Sequence, residues 1–227
     1  MLISFVLPCY NESHRLDFSF GLLTQYFSKV SYNFEIIFVD DWSTDNTFEK
    51  LNLYKKNSRF DIKIIHYMKN KWKWYAVKKW IEKSNWDFIF MMDADIATNL
   101  LEIDKFLEIR DKYDIIIWSR RNKFVKMSYI KKILSKLSSC FINIILQLPV
   151  KDSQCWFKMF NKKSLKLFSL QKLDWFWFDF EILYLAKKHW LKIKDVPILR
   201  EERKKGKITI RSYITTFFQL LRIKIAH

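Results

Sequence analysis

The chain has 227 residues, 50% of them apolar and 29% charged, which suits one domain with a real core and excludes a disordered chain. Its formal net charge of +17 points to an anionic partner: nucleic acid, a phosphorylated substrate or an acidic membrane face. No run nears the roughly 18 apolar residues that cross a bilayer, and Cys9, Cys140 and Cys155 give neither a disulfide framework nor a zinc pattern.

Residues 3–7 read as an apolar strand rather than a signal peptide, because no basic segment precedes them. A loop over 8–13 follows, then a helix over about 15–29. A second strand, 34–39, ends in Asp40 and Asp41, and Ser43, Thr44 and Asp45 can cap a helix over 46–57. A strand is expected at 62–66, a Lys-rich helix at 75–84, a strand at 88–92, a helix at 99–109 and a strand at 114–118. Strand and helix alternate at short spacing, the pattern of a mostly parallel α/β sheet flanked by helices. Such sheets bind ligands at the carboxyl ends of their strands, so the loops 8–13, 40–45 and 93–98 should share one edge.

The second half changes character. Residues 124–149 join a basic amphipathic stretch to the apolar run Phe141–Leu148. They suit either a buried helix pair or helices lying on a membrane surface, with Lys126, Lys131, Lys132 and Lys136 toward anionic headgroups. A loop and strand are expected over 152–160, a helix over 179–188, a strand over 191–196, a charged loop over 200–207 and a basic amphipathic helix over 212–225. No repeat or linker divides the chain. It is one domain, 1–227, with a ligand-binding half over 1–120 and a second half over 121–227.

The stretch Asp87–Thr98 organises this scheme. Its apolar run Phe88–Met92 ends in Asp93, Ala94 and Asp95. In extended backbone, side chains at i and i+2 share a face but reach no common point, so the chain must turn for both carboxylates to meet one ligand. Two hard oxygen donors there suit Mg²⁺ or Mn²⁺ completed by substrate phosphates; helix capping or a plain turn is the alternative.

Glycine and tryptophan are out of balance: 2 against 10. Ordinary usage puts glycine at about 7% of residues. Trp42 lies in a polar turn after a strand, Trp72 and Trp74 in a Lys-rich loop, and Trp190 where a helix-ending glycine is expected. These positions read either as glycines of the working protein, written as tryptophan through a recoded stop codon, or as genuine tryptophans that would impair the site, as in a degraded, inactive relative.

The stretches FVLPCYNES (5–13), VDDWSTDNT (39–47), KWKWYAVKKW (71–80), MDAD (92–95), WSRR (118–121), KDSQCWFKMF (151–160), FWFDFEIL (176–183) and REERKKGK (200–207) come in one order. They resemble the inverting family 2 glycosyltransferases of GT-A fold, a Rossmann-like sheet with a C-terminal acceptor-side region. Within these the chain is most similar to the polyprenyl- and dolichyl-phosphate β-glucosyltransferases. Glycines of that pattern meet Trp42, Trp72, Trp74, Trp118 and Trp156 here.

The resemblance implies roles. Pro8, Tyr10, Asn11 and Glu12 would pack on the nucleotide of a nucleotide-sugar donor, and Asp40 and Asp41 would meet base and ribose. Lys71 and Lys73 would border the same nucleotide. Asp93 and Ala94 would lie along the donor, and Asp93 and Asp95 would hold the Mg²⁺ or Mn²⁺. Asp152 would position the acceptor or take a residual proton, with Gln154 bonding sugar or acceptor. Arg120, Arg121, Arg203 and Lys207 would grip phosphate, a task that suits a guanidinium fork. The reaction implied is transfer of a sugar, glucose first, from a nucleoside diphosphate sugar such as UDP-glucose to a polyprenyl or dolichyl phosphate. It would occur at the cytoplasmic face of a membrane to which the protein binds peripherally. A same-fold enzyme acting on a polysaccharide or soluble acceptor is the alternative. A nucleic-acid-binding protein leaves the acidic pair unexplained, since carboxylates repel a phosphate backbone. Asp179 is read as a helix cap or a substrate contact, with Glu181, two residues on, not facing it, and the four histidines are read as non-catalytic.

Overall fold

The computed structural model describes residues 1–67, 81, 86–96, 98–120, 142, 145–148, 150, 155–172, 178–198, 218 and 220–227. Its elements are β1 (Leu2–Cys9), α1 (Ser13–Phe27), β2 (Asn33–Asp40), α2 (Thr47–Asn57), β3 (Ile62–His66), β4 (Phe88–Met91), α3 (Glu102–Ile109), β5 (Ile115–Arg120), β6 (Lys158–Asn161), α4 (Lys162–Leu170), α5 (Phe178–Lys188) and β7 (Ile193–Ile198). The helix expected over 75–84, the loop 200–207 and most of the stretch 124–149 lie outside the described residues.

One seven-stranded sheet runs β3-β2-β1-β4-β6-β5-β7. β1 pairs in parallel with β2 and β4, β2 with β3, and β5 with β7. β6 is antiparallel to both β4 and β5, so the sheet is mixed. Val6 and Leu7 on β1, Ile36–Val39 on β2 and Phe90 on β4 are buried, because helices cover both faces of a crossover sheet. Phe90 packs on Phe5 at 5.5 Å, on Phe106 of α3 at 5.2 Å and on Phe157 at 5.1 Å between ring centroids. Each such ring taken out of water contributes roughly 1.5–3 kcal/mol.

The helix α4 was not expected from sequence, yet its start carries a cap. The Asn161 side chain accepts a hydrogen bond from the Ser164 N–H at 3.1 Å, the N-cap arrangement. Lysines at 162, 163 and 166 obscure the buried stripe of Leu167 and Phe168.

Both acids of α5 are buried. Asp179 is buried on the ammonium of Lys158, itself buried at the start of β6. Glu181 accepts from the Lys172 N–H at 2.8 Å and lies 2.6 Å from His227 Nε2. Residues 220–226 are helical, as the tail's pattern anticipates, with Leu220 and Ile223 buried and Ile225 exposed.

Candidate active site

β1, β2 and β4 run parallel, so Cys9, Asp40 and Met91 end on one edge of the sheet. β5 ends there too, at Arg120, and the reversed β6 begins there, at Lys158. The segment Cys155–Phe157 therefore enters the sheet from the same edge, where the Phe157 carbonyl accepts from the Trp118 N–H at 3.1 Å.

Side-chain hydrogen bonds lace the first two loops together. The Asn11 N–H donates to Ser43 Oγ at 2.9 Å and the Glu12 N–H to Thr47 Oγ1 at 2.9 Å. In return Asn11 Oδ1 accepts from the Thr44 N–H at 2.8 Å. Asn11 has φ 52, a left-handed conformation that asparagine tolerates well. Asp45 receives the N–H groups of Ser13 at 3.2 Å and Thr47 at 3.0 Å, so it ties the start of α2 to the start of α1, while the N-cap position itself falls to Asn46, without a side-chain cap bond. Burial raises the Asp45 carboxyl pKa, but bonds from Thr47 and Ser13 outweigh it and hold the group below its usual range. A depressed carboxyl stabilises the fold above its unfolded pKa and loses that contribution as pH falls through the folded value. We therefore expect the 8–13 and 40–47 loops to loosen as pH drops below about 4, the ordinary carboxylate range. Amide hydrogen exchange at Glu12 and Thr47 should accelerate there, and Asp45→Asn should abolish that pH dependence.

Asp40 is fully buried. Its Oδ1 accepts from Ser43 Oγ at 2.5 Å and its Oδ2 lies 2.7 Å from His66 Nδ1. It has no exposed surface to offer a base, and its two bonds hold the 40–43 turn against β3. Asp41 is also buried, and its N–H donates to the Cys9 carbonyl at 3.0 Å. Pro8 is buried inside β1, whereas Tyr10 is exposed at the edge and Glu12 is half-buried.

The third loop turns at the acidic pair. The Ile96 N–H closes back on the Asp93 carbonyl at 3.2 Å, with Ile96 at φ 44. A β-branched side chain rarely takes that conformation, and such strain clusters at functional turns. Asp93 is exposed, Ala94 buried and Asp95 half-buried. From α1, Arg15 reaches both acidic regions, its Nη1 lying 3.7 Å from Asp95 Oδ2 and 3.4 Å from Glu12 Oε2. Glu12 Oε2 is buried and has no hydrogen-bond partner among the described residues. The edge is thus rich in hard anionic oxygen, the donor set that suits Mg²⁺ or Mn²⁺. Among the described residues no three His, Cys, Asp or Glu side chains converge, so two carboxylates would leave most positions to phosphate and water.

The structure thus brings together Pro8, Tyr10, Asn11, Glu12, Asp40, Asp41, Asp93, Ala94 and Asp95, with Arg120 ending a strand on the same edge. Lys71, Lys73, Arg121, Asp152, Gln154, Arg203 and Lys207 lie outside the described residues. Sequence reasoning missed Arg15 and His66. Arg15 is one helical turn beyond Glu12, a spacing that places both on one face. His66 ends β3 directly opposite Asp40 of β2, a pairing that only the strand register reveals.

An open α/β sheet with its loops and acids gathered at the carboxyl edge defines a ligand-binding domain of the Rossmann-like class. Within that class the chain belongs to glycosyl transferase family 2, whose sequence profile matches residues 4–168. It is 30% identical over 213 residues to the dolichyl-phosphate β-glucosyltransferase of Dictyostelium discoideum, covering 86% of this chain and 65% of that protein. A dolichyl-phosphate β-glucosyltransferase of Trichomonas vaginalis is 30% identical over 98% of this chain and 70% of its own length. The chain thus spans about two thirds of the length of these relatives. Among solved structures, Mycobacterium tuberculosis glucosyl-3-phosphoglycerate synthase superposes with a TM-score of 0.70 at 14% identity, covering 99% of this chain and 80% of that one. Staphylococcus aureus TarS gives 0.57 at 16% identity, covering 100% and 65%.

Proposed function

We propose that the chain is a metal-dependent glycosyltransferase that moves a hexose from a nucleoside diphosphate sugar with inversion at the anomeric carbon. The observation that carries this reading is the meeting of three loops at one edge, with Arg15 tying Asp95 of the third to Glu12 of the first. Asp93 and Asp95 would hold Mg²⁺ or Mn²⁺, which when bound neutralises charge on the departing diphosphate. The pinned 8–13 and 40–47 loops would cradle the nucleoside. UDP-glucose is the donor we assign, in keeping with the structure of the M. tuberculosis synthase in complex with Mn²⁺ and UDP-glucose.

For the acceptor we assign a polyprenyl or dolichyl phosphate, on the strength of the sequence relatives. Its phosphate oxygen is already anionic at neutral pH, so little deprotonation is required. Asp152 would then position the acceptor and Gln154 hydrogen-bond to it. Arg120, Arg121, Arg203 and Lys207 would hold phosphate, and Lys71 and Lys73 the nucleotide. A lipid acceptor places the protein peripherally on the cytoplasmic face of a membrane; no helix among the described residues is long and apolar enough to cross one. The fold neighbours favour a second reading. The M. tuberculosis synthase matches nearly the whole chain, and one of its structures holds phosphoglyceric acid, which supports a soluble acceptor.

One assay separates these readings. The purified protein is given Mn²⁺ and each of a panel of nucleotide sugars, UDP-glucose first, with a detergent-dispersed polyprenyl phosphate, a small phosphorylated acid or an oligosaccharide. We expect sugar to appear on the lipid phosphate. Transfer only to a soluble acceptor establishes the second reading, and no transfer from any nucleotide sugar to any of the three overturns both.

A further inference from the structure

We propose that the working polypeptide carries glycine at positions 42 and 190, the codons being stop-type codons that the organism decodes as glycine. Five described non-glycine residues have positive φ: Asn11, Trp42, Ile96, Gln147 and Trp190. Two of the five are tryptophan, a residue with no affinity for that region.

Trp190 gives the clearest geometry. The α5 helix ends with the Trp190 N–H donating to the Lys187 carbonyl at 3.1 Å and the Leu191 N–H to the Ala186 carbonyl at 2.9 Å. These are the two bonds of a Schellman ending, and Trp190, at φ 59, occupies its left-handed position. Glycine takes that position because it has no Cβ to clash with the carbonyl. The indole gains nothing in exchange, since Trp190 is 92% exposed.

Trp42 repeats the pattern at the candidate site. It has φ 62 between buried Asp41 and Ser43, the residue that bonds Asp40 and Asn11. Its side chain is 46% exposed, so a large apolar surface faces water in a loop otherwise built of polar side chains. Glycine would allow the turn and let a ligand approach the backbone closely.

A different kind of misfit marks Trp118. It is buried in β5, yet its Nε1 has no hydrogen-bond partner among the described residues. A buried indole normally finds one. Replacing glycine by tryptophan would produce each of these signs, and the count of 2 Gly against 10 Trp is the composition such a replacement would leave.

The direct test is peptide mass spectrometry on the protein isolated from its own organism, across Asp40–Asp45 and Lys188–Lys192. We expect both peptides to be lighter by the difference between an indolylmethyl group and a hydrogen. A tryptophan mass at either position overturns the proposal. A second measurement uses recombinant protein. Trp42→Gly and Trp190→Gly should each raise the folded-to-unfolded ratio about fivefold, because the left-handed conformation costs a residue bearing a Cβ about that factor. Trp42→Ala and Trp190→Ala keep the Cβ and should gain little; stabilisation by alanine equal to that by glycine would count against it. Neither measurement reads sugar transfer, so the result stands apart from the assignment of function.

Discussion

Replacing Asp95 with alanine is expected to lower sugar transfer about a hundred- to a thousandfold while leaving the fold intact. A divalent ion at a departing phosphate contributes several kcal/mol, and each 1.4 kcal/mol or so is a factor of ten in rate. Asp95 is the half-buried member of the acidic pair, at the turn that ends the central strand β4. Its ion pair with Arg15 is partly exposed, with the guanidinium side chain 48% accessible, so losing it should cost at most about 1 kcal/mol of stability. Kinetics and urea unfolding on the same preparation separate these two quantities. Nucleotide binding with and without Mn²⁺ should show the metal dependence of affinity disappear in the variant. Full activity with unchanged metal-dependent binding would remove Asp95 from the site.

The second large effect is on stability. Lys158→Met is expected to destabilise the protein by about 3–5 kcal/mol, because it removes the buried ammonium that bonds the buried Asp179 carboxylate. Most of that loss comes from the buried carboxylate losing this ammonium rather than from the pair's own strength. The double change Lys158→Met with Asp179→Leu should therefore recover much of it. Denaturant midpoints of the two single variants and the double variant form the cycle. A single-variant cost under about 1 kcal/mol would mean that water already reaches the pair.

The carboxyl edge of the sheet was largely legible in the sequence. An apolar run ending abruptly in Asp93 and Asp95 announces a buried strand and a turn, and the chain does turn there, at Ile96. The polar cluster Ser43–Asp45 announced a helix start, but the cap position falls one residue later, at Asn46, and nothing foretold that Asp45 would bind Ser13 as well as Thr47. Nothing local says that two loops will share one carboxylate. Strand direction was hidden for a related reason. The four residues of β6 carry no mark of polarity, so its reversal depends on partners far away in the chain. The same holds for Lys158 and Asp179. Both look like surface charges in their own segments, and only the packing of α5 against β6 makes them buried partners. His66 was passed over because no second histidine lies at a ligand-like spacing, whereas its actual partner is the neighbouring strand's last residue.

The wedged position of β6 also dictates an order of assembly. β3, β2, β1 and β4 can join as soon as residue 91 has been made. β5 then lacks both of its neighbours among the described strands, since β6 and β7 both come later in synthesis. A nascent chain halted between Arg120 and Lys158 thus shows bare strand edges on β4 and on both sides of β5, the kind of surface that invites pairing with another molecule. Holdase chaperones should bind that intermediate and release it once Asn161 has emerged and the gap between the two half-sheets can be filled.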